Sequence, residues 1–340
     1  MSLSEEDLAL IHALQIWPRA PYAVVAEALG VSASAVTARW QRLRDEGLAW
    51  VTAYPRPQRG VDEMLRGYVD ITSAPGALDQ VIDGLARLPG VFTIDQTAGG
   101  RDLTVNVAAN SFDGFAELLL DSISRLPGVL STSAHMVARV HITGDDWRLD
   151  ALNAAQRTAL GAARRRAELD AEPELPRSIR TATLAPVVRA LAQDGRATAA
   201  ELAERLDRPA SSVRRQLAAL LRSGAIGLRC DVAHFHTRWP ILVTWWCRVA
   251  GSELTEIVAA LRADQHIRLC ASLTGPANLI VIAWTAGSTD LLNLQDKLER
   301  LFRPRGEILD SAVTLRSHKR QGWLLHPDGR TTGEVIPVPI

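Results

Sequence analysis

Two stretches of the sequence combine short polar side chains with arginines at helical spacing, a combination suited to contacts with DNA. In the first, the predicted DNA contacts are Ser34, Thr37, Ala38, Arg39 and Arg42. In the second, they are Ser211, Ser212, Arg214, Arg215 and Arg222. A helix in the major groove uses such side chains to hydrogen-bond base edges and to hold phosphates. The sequence therefore predicts two helices that contact double-stranded DNA.

These arginines also have a purely structural explanation. Arg39 could form an ion pair across its small domain, because arginine often pairs within a fold. Residues 208–229 carry five arginines and no acidic residue, and a run of charge is often only a solvated surface. On a helix-turn-helix, however, such a run favours phosphate contact. Because the two stretches differ where bases would be read, we expect two unlike half-sites in the DNA.

Other kinds of site have little support in the sequence. It contains no G-x-S-x-G, P-loop or G-x-G-x-x-G pattern, and no nucleophile beside a base, so no catalytic residue is predicted. His234 and His236 lie on one face of an extended segment, but a zinc site needs further ligands. We expect a wing or linker there, and no metal or cofactor. Three cysteines without a C-x-x-C pair fit a reducing compartment.

The composition is that of a globular protein without net charge. The 340 residues include 38 Lys plus Arg and 38 Asp plus Glu, so affinity for nucleic acid must come from a local patch. The acidic N-terminus does not resemble a signal peptide. The longest apolar run, residues 239–247, is shorter than the roughly 20 residues that span a bilayer. We expect a cytoplasmic protein with no membrane role.

The sequence repeats itself with a nearly constant offset. Residues 29–36 resemble residues 206–213, and the glycine that follows the next helix is Gly47 in one copy and Gly224 in the other, so both offsets are 177. Offsets of 176 and 178 relate two further pairs, Gly99 with Gly275 and residues 126–128 with 303–306. The agreement across different segments indicates one module that has been duplicated and has diverged.

Each copy is predicted to contain a helical head followed by a domain of strands and helices. The hydrophobic period gives helix, helix, helix and a short wing strand at residues 48–54 in the first head, and then the order βαββαβ. The predicted fold class is α+β, with two winged helix-turn-helix domains and two ferredoxin-like domains arranged as an internal duplication, an intrachain pseudo-dimer. The predicted domain limits are 1–57, 62–143, a linker with a helix at 144–181, 182–236, 239–320 and a C-terminal tail at 321–340.

The connecting segments carry three further predictions. A linker helix is expected through Trp147, Leu149, Leu152 and Leu160, because these apolar residues recur at helical spacing. The Pro- and Glu-rich residues 172–176 are expected to be an exposed linker. The tail after Trp323 contains several Pro and Gly residues and is expected to be irregular.

The stretch 30–43, with its G-x-S turn and R-x-x-R-L helix, resembles the recognition region of the leucine-responsive/asparagine-synthesis (Lrp/AsnC) regulator family. The R-L-P-G-V run at 125–129 resembles that family's amino-acid-binding domain. The resemblance covers almost the whole chain, twice. It implies a transcription regulator whose chains assemble into larger homo-oligomers and whose small effectors, such as amino acids, bind between sensing domains.

The resemblance also suggests where an effector would bind. The family's effectors lie near a Gly-x-x-Asp turn, matched here by Gly99, Gly100 and Asp102 in the first copy and by Gly275 and Asn278 in the second. Asp102 could orient an effector's ammonium group. The alternative is that it caps the turn, as Asp often does.

Two other functions remain open at this stage. Siroheme decarboxylases are similar to this family in architecture, but residues 92–97 and 268–273, on the strands where a His-Asn-Tyr type motif would lie, contain no His or Tyr. His266 immediately precedes the second of these strands. The other function is a ligand sensor whose heads do not bind DNA, which the neutral net charge would permit.

Overall fold

The computed structural model describes residues 3–56, 64–169 and 181–337. The first head consists of α1 (Glu5–Ile16), α2 (Tyr22–Leu29), α3 (Ala33–Asp45) and β1 (Ala49–Pro55). The Ser4 hydroxyl accepts a hydrogen bond from the Asp7 N–H, and the Asp7 carboxylate accepts one from the Ser4 N–H, which caps α1. On α3 the predicted inner face, Val36, Trp40 and Leu43, is buried.

The first sensing domain follows as a four-stranded sheet with helices on one face. Its elements are β2 (Leu65–Ser73), α4 (Leu78–Arg87), β3 (Val91–Ala98), β4 (Leu103–Ala109), α5 (Phe112–Glu117) with a π-helical continuation (Leu118–Ile123), and β5 (Val129–Ile142). Val81 and Leu85 of α4 are fully buried against Val69 and Ile71 of β2 and their neighbours. The order βαββαβ is the predicted one.

The linker belongs to the core of the first head over much of its length. Its helix, α6 (Ala154–Leu169), begins later than predicted. Trp147, Leu149 and Leu152 precede it in an irregular segment, yet all three are buried in the core of the first head. His12 accepts hydrogen bonds from the Ala151 and Leu152 N–H groups at 3.2 and 3.1 Å, which fixes this segment. The predicted exposed linker at 172–176 lies outside the described residues.

The second half repeats the element order of the first. Its head contains α7 (Ala185–Gln193), α8 (Ala199–Leu206), α9 (Ala210–Ser223) and β6 (Ile226–Val232). Its sheet domain contains β7 (Ile241–Val249), α10 (Leu254–Arg262), β8 (Ile267–Leu273), β9 (Leu279–Thr285), α11 (Ser288–Phe302) and β10 (Gly306–Arg320). A short hairpin, β11 (Trp323–Leu325) and β12 (Thr331–Val335), follows.

Two long strands join the sheets into one closed ring. β5 pairs with β2 through residues 129–136 and with β8 through residues 137–142. β10 pairs with β7 through residues 306–314 and with β3 through residues 313–320. The order around the ring is β3-β4-β2-β5-β8-β9-β7-β10 and back to β3. The helices cover the two outer faces, and the inner faces enclose the space between the sheets.

Two predictions about the strands were wrong. The strand predicted at residues 48–54 is present as β1, but within the described residues it is not a wing of the first head, because it is buried and pairs with β6 of the second head, from Ala49 with Val232 to Pro55 with Ile226. The tail is not irregular, because β11 adds to the free edge of β10 through Trp323 and Leu324. In both cases the backbone N–H and C=O groups of a short segment form hydrogen bonds with another strand. The residues of the segment itself do not indicate which strand that is.

Candidate functional site

The predicted base-reading residues of the first head lie on the outer surface of α3. Ser34, Thr37 and Ala38 are exposed. The Thr37 hydroxyl donates to the Ala33 carbonyl at 2.8 Å, which leaves its methyl group and oxygen at the surface. This face is therefore available to a groove.

The two arginines of α3 are held by an acidic residue on α1. Arg39 lies 3.1 Å from a carboxylate oxygen of Asp7, and Arg42 pairs with the same oxygen and also with Glu46 at 3.1 Å. The Asp7 side chain is only 6% exposed. Burial raises the pKa of this carboxyl, but hydrogen bonds from the Ser4 N–H and Arg42 outweigh it and lower the pKa below its ordinary value. Arg39 and Arg42 thus serve the packing of α1 against α3.

The arginines of the second recognition helix have a different setting. Arg214, Arg215 and Arg222 are exposed on α9, and none of them forms an ion pair or side-chain hydrogen bond with another residue in the described parts of the chain. Ser211 is also exposed, whereas Ser212 is half-buried. The second head consequently presents three arginines that a phosphate could engage without first displacing a carboxylate.

Contacts that the sequence analysis missed hold the two heads together. Arg19 donates to the carbonyl oxygens of Gly195 and Ala197 at 2.6 and 3.0 Å. Arg196 donates to Pro18 and Ala20 at 2.6 and 2.9 Å. Arg19 and Arg196 are 177 residues apart, the offset of the repeat, so the contact is reciprocal about a pseudo-twofold axis. That offset was the signal that could have found this pair.

The predicted effector turns have matching internal structures. Asp102 accepts hydrogen bonds from the N–H and hydroxyl of Ser73, at the end of β2, at 2.7 and 3.0 Å. Asn278 accepts from the Val249 N–H at 2.9 Å and donates to the Val249 carbonyl at 2.8 Å, at the end of β7. Both side chains therefore anchor a β-hairpin to the neighbouring strand. The first glycines of these turns, Gly99 and Gly275, have φ values of 138° and 107°, which favour glycine.

Arg101 in the first turn joins the two sensing domains. Its guanidinium lies 3.1 Å from Asp70 of its own domain and pairs with Asp310 of the other. It also stacks on the Trp246 ring at 3.8 Å from the ring centre. Gly100 and Arg101 line a cleft of about 330 Å³ between the domains, while Gly275 and Asn278 line another of about 670 Å³.

A further cavity, lined by several charged residues, lies between the sheets and close to the heads. Its volume is about 610 Å³. Six arginines line it: Arg56, Arg66, Arg139, Arg229, Arg268 and Arg320. Two aspartates, Asp95 and Asp145, also line it. Burial raises the pKa of Asp95, and it raises the pKa of Asp145 to about 6.

Part of this arginine cluster is tied into a buried network. Arg229 pairs with Asp231 at 2.8 Å, and Arg268 lies 3.8 Å from the same carboxylate oxygen. Arg320 is 4% exposed and donates to Ser317 and to His234, each at 3.1 Å. His234 can accept because burial lowers its pKa well below the ordinary value and keeps the ring neutral.

Comparison with known proteins agrees with this architecture. Residues 3–44 match the AsnC-type helix-turn-helix domain model, and residues 66–146 match the Lrp/AsnC ligand binding domain model. The first half of the chain is therefore similar to an AsnC-type helix-turn-helix domain followed by an Lrp/AsnC ligand binding domain. Residues 183–229 match a more general helix-turn-helix domain model. An uncharacterized HTH-type transcriptional regulator of Pyrococcus abyssi is 26% identical over 141 residues, which cover 41% of this chain and 89% of that protein.

Solved structures extend the comparison beyond the Lrp/AsnC module. The siroheme decarboxylase NirDL is 13% identical, with a TM-score of 0.51 and coverage of 92% of each chain, which shows a shared overall fold. E. coli AsnC is 20% identical, with a TM-score of 0.34, over 41% of this chain and 94% of its own.

The described ranges contain neither a metal-binding cluster of side chains nor a helix suited to a membrane. No group of three or more His, Cys, Asp or Glu side chains there is arranged to hold a metal ion. The segment His234–His236 is a 3-10 turn rather than a wing, and the His234 ring stacks on Trp284 at 5.4 Å. Among the described helices, none has the length and apolarity needed to cross a membrane.

Proposed function

We propose that this protein is a sequence-specific DNA-binding transcription regulator whose DNA affinity is modulated by a small molecule bound between its sensing domains. The observation that supports this most directly is the pair of helix-turn-helix heads, one of them AsnC-type, joined by the β1–β6 pairing. In this proposal the module has been duplicated within one chain, so head spacing is set without a second chain. Pseudo-dimeric chains then assemble into a cytoplasmic homo-oligomer.

The proposed DNA contacts are those of the sequence analysis, now weighted by their surroundings. Ser34, Thr37 and Ala38 approach bases from the first head, and Ser211 and Ser212 from the second. Arg214, Arg215 and Arg222 hold phosphates. Arg39 and Arg42 contribute less, because a phosphate must compete with Asp7 for each guanidinium. The recognition helices are unlike, so the preferred DNA has two unlike half-sites.

The direct test is fluorescence anisotropy with DNA from upstream of the protein's own gene, against an unrelated fragment, over a salt series. Binding that prefers the upstream DNA and weakens steeply with salt supports the proposal, because neutralised phosphates release counterions. Absence of any preference at every salt concentration refutes it and favours a ligand sensor. Selection from random DNA tests the half-sites, and recovery of perfect palindromes alone would contradict them.

The proposed effector contacts are Gly99, Gly100 and Asp102 in one domain and Gly275 and Asn278 in the other. Since Asp102 and Asn278 are engaged with strand ends, their proposed role is to shape the turns. Amino acids are the first effector class to test there. A shift of the melting temperature by an amino acid, lost when Gly100 becomes Val, would support binding at the first turn; a shift that survives the change argues against it.

A tetrapyrrole-binding enzyme is the second candidate, favoured by the arginine-lined cavity, since arginines suit the carboxylates of such molecules. The described lining contains no histidine to act as a general acid or iron ligand. The two candidates differ in a simple readout. A purified protein that is colourless, and whose absorbance does not change with uroporphyrin or siroheme, excludes the enzyme.

A further inference from the structure

The cavity between the sheets has more positive than negative charge. Six arginines and two aspartates line it, and a third aspartate, Asp231, lies behind Arg229. With every group charged, the described residues place six positive charges against three negative ones, a formal excess of three among them. Both lining aspartates have raised pKa values because of burial, which favours their neutral forms and increases the excess.

Two of these arginines have donors with no acceptor. Arg66 forms no ion pair or side-chain hydrogen bond with any residue in the described ranges, and its buried Nε has no partner. Burial lowers the pKa of its guanidinium. The Nη1 of Arg320 is also buried without a partner. A buried donor on a cation that has no acceptor is costly in free energy, so a site that keeps two such donors is suited to an anion.

Much of the remaining lining is apolar. Tyr68, Leu242, Leu269 and Ile282 face the cavity, and Tyr68 is 3% exposed. The volume of about 610 Å³ lies within the range of small-molecule sites, roughly 300–1,000 Å³. A simple inorganic anion would satisfy the arginines and leave this apolar surface uncovered.

We propose that this cavity binds an organic polyanion, a small molecule that carries two or more carboxylate or phosphate groups on an apolar body. Arg66 and Arg320 hold its anionic groups, and the apolar residues cover its body. The site is distinct from the Gly99–Asp102 and Gly275–Asn278 turns, since none of those residues lines it.

The cavity also touches the strands that hold the heads together. Tyr54 and Pro55 at the end of β1 line it, as does Arg229 of β6. Tyr54 pairs with Gly227 and Pro55 with Ile226 in the ribbon between the heads. A ligand in the cavity therefore contacts both strands of this ribbon and can favour one arrangement of the heads, provided that it binds that arrangement more tightly. This effector role rests on the proposed regulatory function, whereas binding itself does not.

The test uses the full chain and a panel of organic polycarboxylates and organic bisphosphates, including benzene-1,3,5-tricarboxylate and benzene-1,4-diyl bisphosphate, with benzene-1,4-diol as a neutral control. Thermal shift identifies binders, and calorimetry measures their affinities for the wild type, Arg66→Gln and Arg320→Gln. Arg300→Gln is the matched control, because Arg300 is 83% exposed and lies on α11, away from the cavity. Comparison of the affinities for carboxylates and for phosphates shows which of the two anionic groups the cavity binds.

We expect at least one polyanion to bind, with roughly 10- to 100-fold weaker affinity for each cavity variant, the scale of a lost hydrogen bond to a charged group, and unchanged affinity for Arg300→Gln. Arg66→Gln should melt at or above the wild-type temperature without ligand, because it removes an unpaired cation. The proposal is overturned if no panel member stabilises the wild type, or if Arg66→Gln binds with wild-type affinity. Calorimetry needs no DNA, so a failure of polyanion binding can be distinguished from a failure of the proposed regulatory function.

Discussion

The two heads should differ in their electrostatic contribution to DNA binding. The perturbation is a triple substitution on α9, Arg214/Arg215/Arg222→Gln, compared with a double substitution on α3, Arg39/Arg42→Gln. The three arginines of α9 are exposed and form no ion pair within the described ranges. The two on α3 share Asp7, and Arg42 also contacts Glu46.

The magnitude follows from counterion release. Each phosphate neutralised on B-DNA contributes about 0.9 to the slope of log affinity against log salt concentration. If all three α9 arginines contact phosphates, the triple variant should lose about 2.7 from that slope. Over a fourfold range of salt concentration, its affinity for DNA should then change by a factor roughly 40-fold smaller than that of the wild type. The α3 variant should lose less than about 1, because its guanidinium groups are already neutralised by carboxylates.

The assay is fluorescence anisotropy on the preferred DNA at five or more salt concentrations. A matched control removes three exposed arginines from the sensing domains, Arg125, Arg300 and Arg303, whose side chains are 73%, 83% and 80% exposed. The control should leave the slope unchanged. An equal loss of slope in the α3 and α9 variants, or no loss in the α9 variant, would refute the reasoning.

Three further predictions concern stability. Asp7→Ala removes the carboxylate that accepts a hydrogen bond from the Ser4 N–H and pairs with Arg39 and Arg42, so it should lower the free energy of unfolding by about 2 kcal/mol in urea titrations. Because the pKa of Asp7 is lowered in the folded state, the difference in stability between the wild type and Asp7→Ala should be present at neutral pH and shrink as the carboxyl is protonated at acid pH. A difference that is independent of pH would contradict the role of the ionised Asp7 carboxylate. Gly306→Ala should lower the free energy of unfolding by about 1–3 kcal/mol, since a Cβ at Gly306 would lie 2.3 Å from the Arg248 carbonyl oxygen where the ring closes. Gly251→Ala should not lower it, because the space around Gly251 is open. Equal melting temperatures for the two variants would show that the strand pair adjusts to the added methyl group at little cost. Lys319 is fully buried, and burial lowers its pKa to about 8, so between pH 8 and about 10.4 the unfolded chain binds more protons. The wild type should therefore gain stability relative to Lys319→Met as the pH rises across that window, and parallel pH profiles would contradict a lowered pKa for Lys319 in the folded state.

Elements defined by local periodicity could be predicted closely. Both sheet domains have the βαββαβ order that the hydrophobic period predicts. In α10, Leu254, Ile257, Val258 and Leu261 recur at helical spacing, so neighbouring residues alone carry the information. The buried residues of α3 show the same helical spacing.

Segments whose partners are distant in sequence were not predicted correctly. Residues 48–54 alone read as a wing, but the partner of β1 is β6, about 177 residues away. Whether Arg39 faces DNA or pairs within the head was an open alternative, and Asp7, on another helix, favours the internal pair. The cavity arginines come from several strands and connecting segments, so no spacing in the sequence links them.

The sequence by itself therefore determined the kinds of element and their order, because these depend on residues close together in the chain. The tertiary structure alone decided how the two halves join. Closure of the ring by β5 and β10, the ribbon of β1 and β6, and the charge-unbalanced cavity between the sheets depend on pairing between residues more than a hundred positions apart. Local propensity carries no information about such pairing, because burial and hydrogen bonding between distant strands select it only when the chain is compact.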